Sequence, residues 1–201
     1  QMTGESFIID SEKKMSFTRE QLVEVLTYIK DCYDGGVFEP AEDSATFKGQ
    51  IHTNPKWMDG KFVFAYGPSS SINLLMDAVP EAECTVVQMP MAEDRVNDGF
   101  FADTPQYMTV NKNSEHVEEA VDFLNYFYNN AEAQETLKDV RSIPPTSTAR
   151  QLCADKGLLN QTVVDAVDLA AGLNGKSDKG YTTSAEVYAI QEDMIESIAY
   201  G

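Results

Sequence analysis

Apolar residues recur at helical spacing in several separate windows of the chain. The first opens at Thr18, which stands three residues before Gln21 in capping-box order, with Phe17 placed to staple Leu22. Leu22, Val25, Leu26, Ile29 and Tyr33 then fall on one face, and Gly35-Gly36 end the run. Ser114 is placed to cap a second helix with Val117, Ala120, Val121, Leu124 and Phe127 along one side. Asn129-Asn130 separate it from a helix over residues 131–140. Ser142-Ile143-Pro144-Pro145 is a rigid extended break, because proline fixes φ and disfavours helix in the residue before it. Short helices follow over 147–156 and 161–171, then a loop over 172–180 rich in Gly, Asn, Ser and Asp. A last helix is expected to start at Thr183, boxed by Glu186, with Val187, Ile190, Met194 and Ile198 inward.

Strand patterns are fewer. Residues 6–10 read as a short strand or extended arm, and 37–48 as a polar, acidic connection. A short helix around Trp57 and a turn at Asp59-Gly60 lead into the apolar run 62–66. Gly67-Pro68 break that strand, and Ser69-Ser70-Ser71 open a further helix at 72–76. Such a unit ends with backbone N–H groups and hydroxyls facing outward, where a polar ligand can be received. A second apolar strand at 83–89 stops at Pro90; 92–99 is charged and turn-rich, and 100–111 extended around Pro105. Few strands, many helices and their alternating order predict an α/β fold.

Charge narrows the partners. Thirty-three acidic residues against 15 basic ones give a formal net charge of −18 over 201 residues. That balance disfavours nucleic acid and anionic lipid, and its spread along the chain fits a solvated acidic surface. Cys32, Cys84 and Cys153 lie far apart among apolar neighbours, so buried, inert thiols are expected rather than a disulfide framework. No apolar run reaches the length that spans a bilayer. Residues 1–5 are polar, without the basic-then-apolar order of a leader, and a mature chain looks the same there as a cytoplasmic one.

Catalytic and metal patterns are thin. His52 and His116 stand at no metal spacing, and His116 reads as a surface residue. The serine triplet lacks a nucleophile-elbow frame, neither a dinucleotide fingerprint nor a phosphate loop occurs, and no cofactor is expected. Glu118-Glu119 read as a solvated helix face. A binding site has better support, since aromatic faces and planar polar groups suit a sugar. The candidates sit at element ends: Gly67 to Ser71 with Ser69 and Ser70, Asp103-Thr104, Gln106-Tyr107, Arg141-Ser142, Tyr181 and Tyr188. Each has a plain alternative. Tyr188 fits core spacing, Trp57 fits packing under a strand, Asp103 fits a loop cap, and Arg141 fits a helix C-terminus.

The order of these motifs resembles the second half of an extracellular solute-binding protein of the sugar-type ABC importers, the maltose-binding type. The stretch Asp59-Gly60-Lys61 through Tyr66-Gly67-Pro68 is similar to the family's strand, Gly-Pro turn and helix. Residues 83–90 resemble the proline-ended strand after it, and FADTPQYMTVNKNSEHVEEAVDFL at 101–124 the segment returning to the first lobe. Residues 131–145 resemble the family's stretch ending in Ile-Pro-Pro, and 181–201 the helix that ends the second lobe.

The resemblance implies a capture protein, not an enzyme: a periplasmic-binding-protein-like lobe, a mixed sheet flanked by helices, with the first lobe largely missing. On this plan 1–103 belong to the second lobe, 104–144 cross to the first, and 145–201 return. It implies ligand contacts at Ser69, Ser70, Asp103, Thr104, Gln106 and near Tyr188, a membrane permease as partner, and an extracytoplasmic place, lipid-anchored or periplasmic. One departure stands out. Sugar binders of this type commonly put a tryptophan just after the glycine turn, where this chain has Ser69. The chain is expected to be part of a longer protein, and uncovered apolar faces to favour self-association. A non-sugar solute, polyamine or phosphorylated polyol, and an α/β enzyme are the rival readings.

Overall fold

The computed structural model describes residues 1–100, 107–140, 142–175 and 180–201. Along the chain it forms β1 (Ile8–Ile9), β2 (Lys14–Met15), α1 (Arg19–Asp34), α2 (Ala41–Ser44), α3 (Pro55–Met58) and α4 (Ile72–Asp77). There follow α5 (Val117–Asn129), α6 (Ala131–Leu137), α7 (Ser147–Asp155), α8 (Gln161–Ala171) and α9 (Ala185–Ala199). Contacts divide it into two compact units, residues 1–54, 89–101 and 173–201 in one, 55–88 and 102–172 in the other.

In the first unit, β1 and β2 pair antiparallel, Ile8 opposite Met15 and Ile9 opposite Lys14. Thr182, buried, accepts from the Ile8 amide at 2.8 Å and donates to the Ile8 carbonyl at 3.3 Å. The chain thus enters the last helix stitched to the first strand. Gly180 has φ +61°, which favours glycine, and a Cβ there would require the Asp10 carboxylate beside it to shift. The Tyr181 amide donates to Asp10 Oδ1 at 2.9 Å from the same approach.

Helix α1 packs on α9. Its start follows the sequence closely: Thr18 Oγ1 accepts from the Gln21 amide and Gln21 Oε1 from the Thr18 amide, both halves of the capping box. Phe17 meets Phe7 edge-on at 4.6 Å between ring centres. Leu22, Leu26, Ile29 and Tyr33 face inward with buried Cys32, whereas Val25 is exposed. Helix α9 begins one residue later than its box predicts. Ser184, not Thr183, caps it by accepting from the Val187 amide, and Thr183 closes a 3-10 turn by donating to the Gly180 carbonyl. Val187, Gln191, Met194 and Ile198 line the inner face, and Ile190 is exposed. At the far end Lys48 meets Glu192 at 2.9 Å and Glu196 at 3.4 Å, and these carboxylates raise the lysine's pKa.

The second unit packs α5, α6 and α7 against one another and α4 against α8. Its core is small: Cys153 and Val163 are fully enclosed, with Ala149, Ala133 and Val79 close behind. Burial pushes the Cys153 thiol pKa up, with Glu135 and Asp139 adding to it, as fits an inert buried thiol. Each of these helices starts on a side-chain cap where the sequence offers one: Asn130 for α6, Thr146 for α7 and Asn160 for α8. His116, rather than Ser114, stands at the cap position of α5, and Ser114 Oγ accepts from its amide. Helix α6 ends at Leu137, three residues short of the predicted end, because Lys138 turns to φ +50°. On α5, Ala120, Leu124 and Phe127 face inward, while Val117 and Val121 are exposed.

Neither predicted strand forms. Residues 62–66 and 83–89 join no ladder, and among the described residues the two-residue pair β1–β2 makes the one sheet. A strand is stabilised by cross-strand pairs within a ladder, and neither run enters one. Val63, Phe64 and Tyr66 are accordingly exposed, at 83%, 75% and 71%. The α/β expectation therefore stands corrected in detail to a helix-rich chain with a minimal sheet.

Two outcomes test these joints. Gly180→Ala should destabilise the protein by about 1–2 kcal/mol in urea unfolding, since the left-handed backbone opposes it and the Asp10 contact to the Tyr181 amide must give way. Asp98 is the second joint. Its carboxylate accepts from Arg95 Nε at 2.9 Å and the Asn174 amide at 3.0 Å, while Asn174 Oδ1 takes the Asp98 amide. Arg95 first, then the Asn174 amide, lower its pKa. A depressed carboxyl contributes stability above its unfolded pKa and loses it as pH falls through the folded one. Hydrogen-exchange protection at Asn174, corrected for intrinsic rate, should therefore hold at neutral pH and fall at acid pH below the ordinary aspartate range of about 3.9. Asp98→Asn should remove that pH dependence.

Candidate functional site

The Gly-Pro turn and the serine triplet fold as their residues dictate. Pro68 is extended, at φ −70° and ψ 154°, and the chain then winds into a 3-10 turn over Ser69–Ser71 that runs straight into α4. The Ser71 amide donates to the Pro68 carbonyl at 2.9 Å. Ser69, Ser70 and Ser71 are half-buried at this corner.

What faces the corner comes from two later segments of the same unit. Ser69 Oγ lies 3.0 Å from Ser142 Oγ. Behind this pair Asn73, the second residue of α4, donates from Nδ2 to the Asp139 carbonyl at 3.0 Å. Asp139 is buried, and its Oδ2 accepts from the Asn160 amide at 2.5 Å. Asn160 completes the ring by donating from Nδ2 to Asn73 Oδ1 at 2.8 Å, while its own Oδ1 caps α8 through the Thr162 amide. Three separated segments thus meet through polar groups that satisfy one another, as buried polar groups must. The outcome is a half-buried pair of hydroxyls on a braced frame.

In the other unit Tyr181 and Tyr188 are both half exposed, at 50% and 51%. Tyr188 is therefore not the core residue its spacing also allowed. The Lys13 ammonium stands 6.0 Å over the Tyr181 ring, within reach of a cation–π contact. Trp57 packs under no strand, since 62–66 forms none; its Nε1 donates to the Leu75 carbonyl at 3.0 Å, tying α3 to α4. Asp103, Thr104, Gln106 and Arg141 lie outside the described residues.

Two concave surfaces lie elsewhere. A groove of about 390 Å³ runs between residues 108–114 and α5, lined chiefly by Met108, Val110, Ala120, Phe123 and Leu124, and offers few polar groups to a hydroxylated solute. A second, of about 250 Å³, is polar, lined by Gln1, Gln21, Glu24, Asp94 and Arg95. The serine corner lines neither. Among the described residues no cluster of His, Cys, Asp and Glu is arranged to hold a metal ion, and no helix is long and apolar enough to cross a membrane. His116 is exposed, 3.8 Å from Glu119.

The sequence reading missed Asn73, Asp139 and Asn160. Asn160 carried a usable signal, a capping residue directly before an apolar-periodic run. Asn73 and Asp139 carried none, because their roles exist only once α4, the turn after α6 and the start of α8 come together.

Two solved structures share the fold over 98% of this chain. One is a de novo designed cysteine esterase, with a TM-score of 0.74 and 24% identity. The other is a periplasmic oligogalacturonide binding protein from Yersinia enterocolitica, with a TM-score of 0.70 and 24% identity. The chain spans about half the length of each, 50% in both cases. The family model described as bacterial extracellular solute-binding protein matches residues 4–187. That match takes in the Gly-Pro turn, the serine corner, the turn after α6 and the first part of α9, and by it the chain belongs to the bacterial extracellular solute-binding protein family.

Proposed function

We propose that this chain supplies the later half of an extracytoplasmic binding protein that captures a sugar or oligosaccharide for the permease of an ABC importer. The observation that carries the reading is the hydroxyl pair Ser69–Ser142, set on the turn after Gly67-Pro68 in a chain of this family. Hydroxyl groups both donate and accept, which is the chemistry a sugar presents. The oligogalacturonide-binding neighbour supports a saccharide as the solute class. Half-exposed Tyr181 and Tyr188 suit the aromatic contacts that sugars favour. Asp103, Thr104 and Gln106 are further solute contacts by the family resemblance, and Arg141 is one by its place at an element end.

In this reading residues 104–144 cross to the first lobe, while 1–103 and 145–201 form the second. The protein sits outside the cytoplasm, lipid-anchored or free in the periplasm. Exposed Val63, Phe64 and Tyr66 are the natural seat for strands that the rest of a family member would supply.

A binding protein returns its solute unchanged. Oligosaccharides incubated with the intact binding protein should be recovered intact, and sustained hydrolysis abolished by a point substitution in this chain would overturn the reading. Tyr188→Ala should weaken binding by about 1–3 kcal/mol if the ring stacks on the solute, as truncation of an anchor does. Because the ring is half exposed, its melting temperature should stay near that of the parent. Calorimetric titration and thermal unfolding of the same variant measure the two separately. A large stability loss with unchanged affinity would return Tyr188 to a packing role.

A further inference from the structure

The chain carries one Asn-Gly step, Asn174-Gly175. Asparagine is thermolabile, and a following glycine makes it more so. With no Cβ in the way, the glycine nitrogen can reach the asparagine Cγ and close a five-membered ring. In this protein both reacting groups are engaged. The Gly175 amide donates to the Phe100 carbonyl at 2.7 Å, and Asn174 Oδ1 accepts from the Asp98 amide at 2.9 Å. The Asn174 amide donates to Asp98 Oδ2 at 3.0 Å, and Arg95 Nε donates to the other carboxylate oxygen at 2.9 Å.

This clasp itself calls for the labile pair. A Cβ at Gly175 would run into the Phe100 backbone, with the carbonyl carbon at 2.6 Å and the nitrogen at 2.7 Å, and a backbone cannot swing aside as a side chain does. Asn174 offers a neutral acceptor beside the Asp98 carboxylate, where an aspartate would set like charges together. Asn174 is also exposed, so water reaches it.

We propose that Asn174 is a self-modification site, at which deamidation through a succinimide is gated by the Asp98 clasp and, once complete, opens that clasp for good. The Gly175 nitrogen attacks Asn174 Cγ. A C–N bond forms, the Cγ–Nδ2 bond breaks, and ammonia leaves with the proton that the Gly175 amide gives up. Water then opens the ring at either carbonyl, to aspartate or isoaspartate, and no other reactant is consumed. While Phe100 holds the Gly175 N–H and Asp98 holds the Asn174 side chain, neither group turns into ring geometry. The ring therefore closes only in molecules whose clasp has opened locally. Neither product re-forms it. Isoaspartate routes the main chain through side-chain carbons and displaces Gly175 from its close fit against Phe100. Aspartate sets a second carboxylate against that of Asp98.

The test stores the intact protein at mildly alkaline pH and follows Asn174 by peptide mapping, which reads the amide-to-acid mass gain and the shifted elution of the isoaspartyl peptide. The same protein in urea gives the unclasped rate. Folded, Asn174 should convert more slowly than in urea by about tenfold or more, as a step limited by local opening does. Asp98→Ala should bring the folded rate close to the urea rate, and Arg95→Ala, which leaves the carboxylate in place, to a value between. Asn113-Ser114, where Asn113 is exposed in the other compact unit, is the internal reference and should convert at one rate in all three folded proteins. Modified protein should lose hydrogen-exchange protection at Gly175. Conversion of folded Asn174 at the urea rate overturns the gate, and so does a parent-like rate in the variants. Acceleration of Asn113 along with Asn174 overturns it too, since the variants would then be unfolding as a whole. Should Asp98→Ala fail to fold, Arg95→Ala decides: a rate above the parent's supports the gate and an equal rate overturns it. Gly175 protection kept in the modified protein overturns the permanent opening.

Discussion

Backbone amides and carbonyls must find partners, and the way each segment meets that demand governs the rest of this molecule. A helix meets it internally once its ends are capped. Thr18, Asn130, Thr146, Asn160 and Ser184 each place a side-chain oxygen on a first-turn amide, and helices stand at all five places. A strand cannot meet it alone. The pair β1–β2 succeeds because Ile8 and Ile9 find Met15 and Lys14 across a short turn, and Thr182 serves the edge that remains. The apolar run over 62–66 joins no ladder among the described residues, and Val63, Phe64 and Tyr66 are exposed there.

The same demand shapes the serine corner. The turn after α6 has two residues at positive φ and so cannot continue a helix. Its amides at Val140 and Ser142 donate back to the Leu137 and Asp139 carbonyls, the Asp139 carbonyl also accepts from Asn73, and the Asp139 carboxylate accepts from the amide of Asn160, the capping residue of α8. A buried carboxylate is costly unless hydrogen-bonded, so this bond and the cap stand or fall together. Two hydroxyls are left facing each other at half-buried positions, where water or a solute can reach them.

The chain belongs to a solute-binding family, and its serine corner is polar and braced. The chain's acidity is spread over exposed faces, and the exposed Lys48–Glu192 type of pair adds little to stability.

Much of the helical framework was legible from the chain because it is local. The capping box at Thr18–Gln21, the break at Gly35 and the span of α8 depend only on residues a few positions apart. Where local signals competed, the outcome shifted by a residue or more: Ser184 displaced Thr183 as the cap of α9, and Lys138 ended α6 early. The faces were harder. Val25, Val117, Val121 and Ile190 fit the periodicity yet are exposed, since periodicity gives a stripe but not the width of what packs on it. Strands at 62–66 and 83–89 were misjudged for a related reason: apolar composition marks a segment fit for a sheet, while a sheet requires a partner from elsewhere. The Gly-Pro turn and its serines were readable as a receiving corner. Their partnership with Asn73, Asp139, Ser142 and Asn160 was not, because those contacts join residues up to 87 positions apart, and only the tertiary fold decides which distant polar groups must satisfy one another.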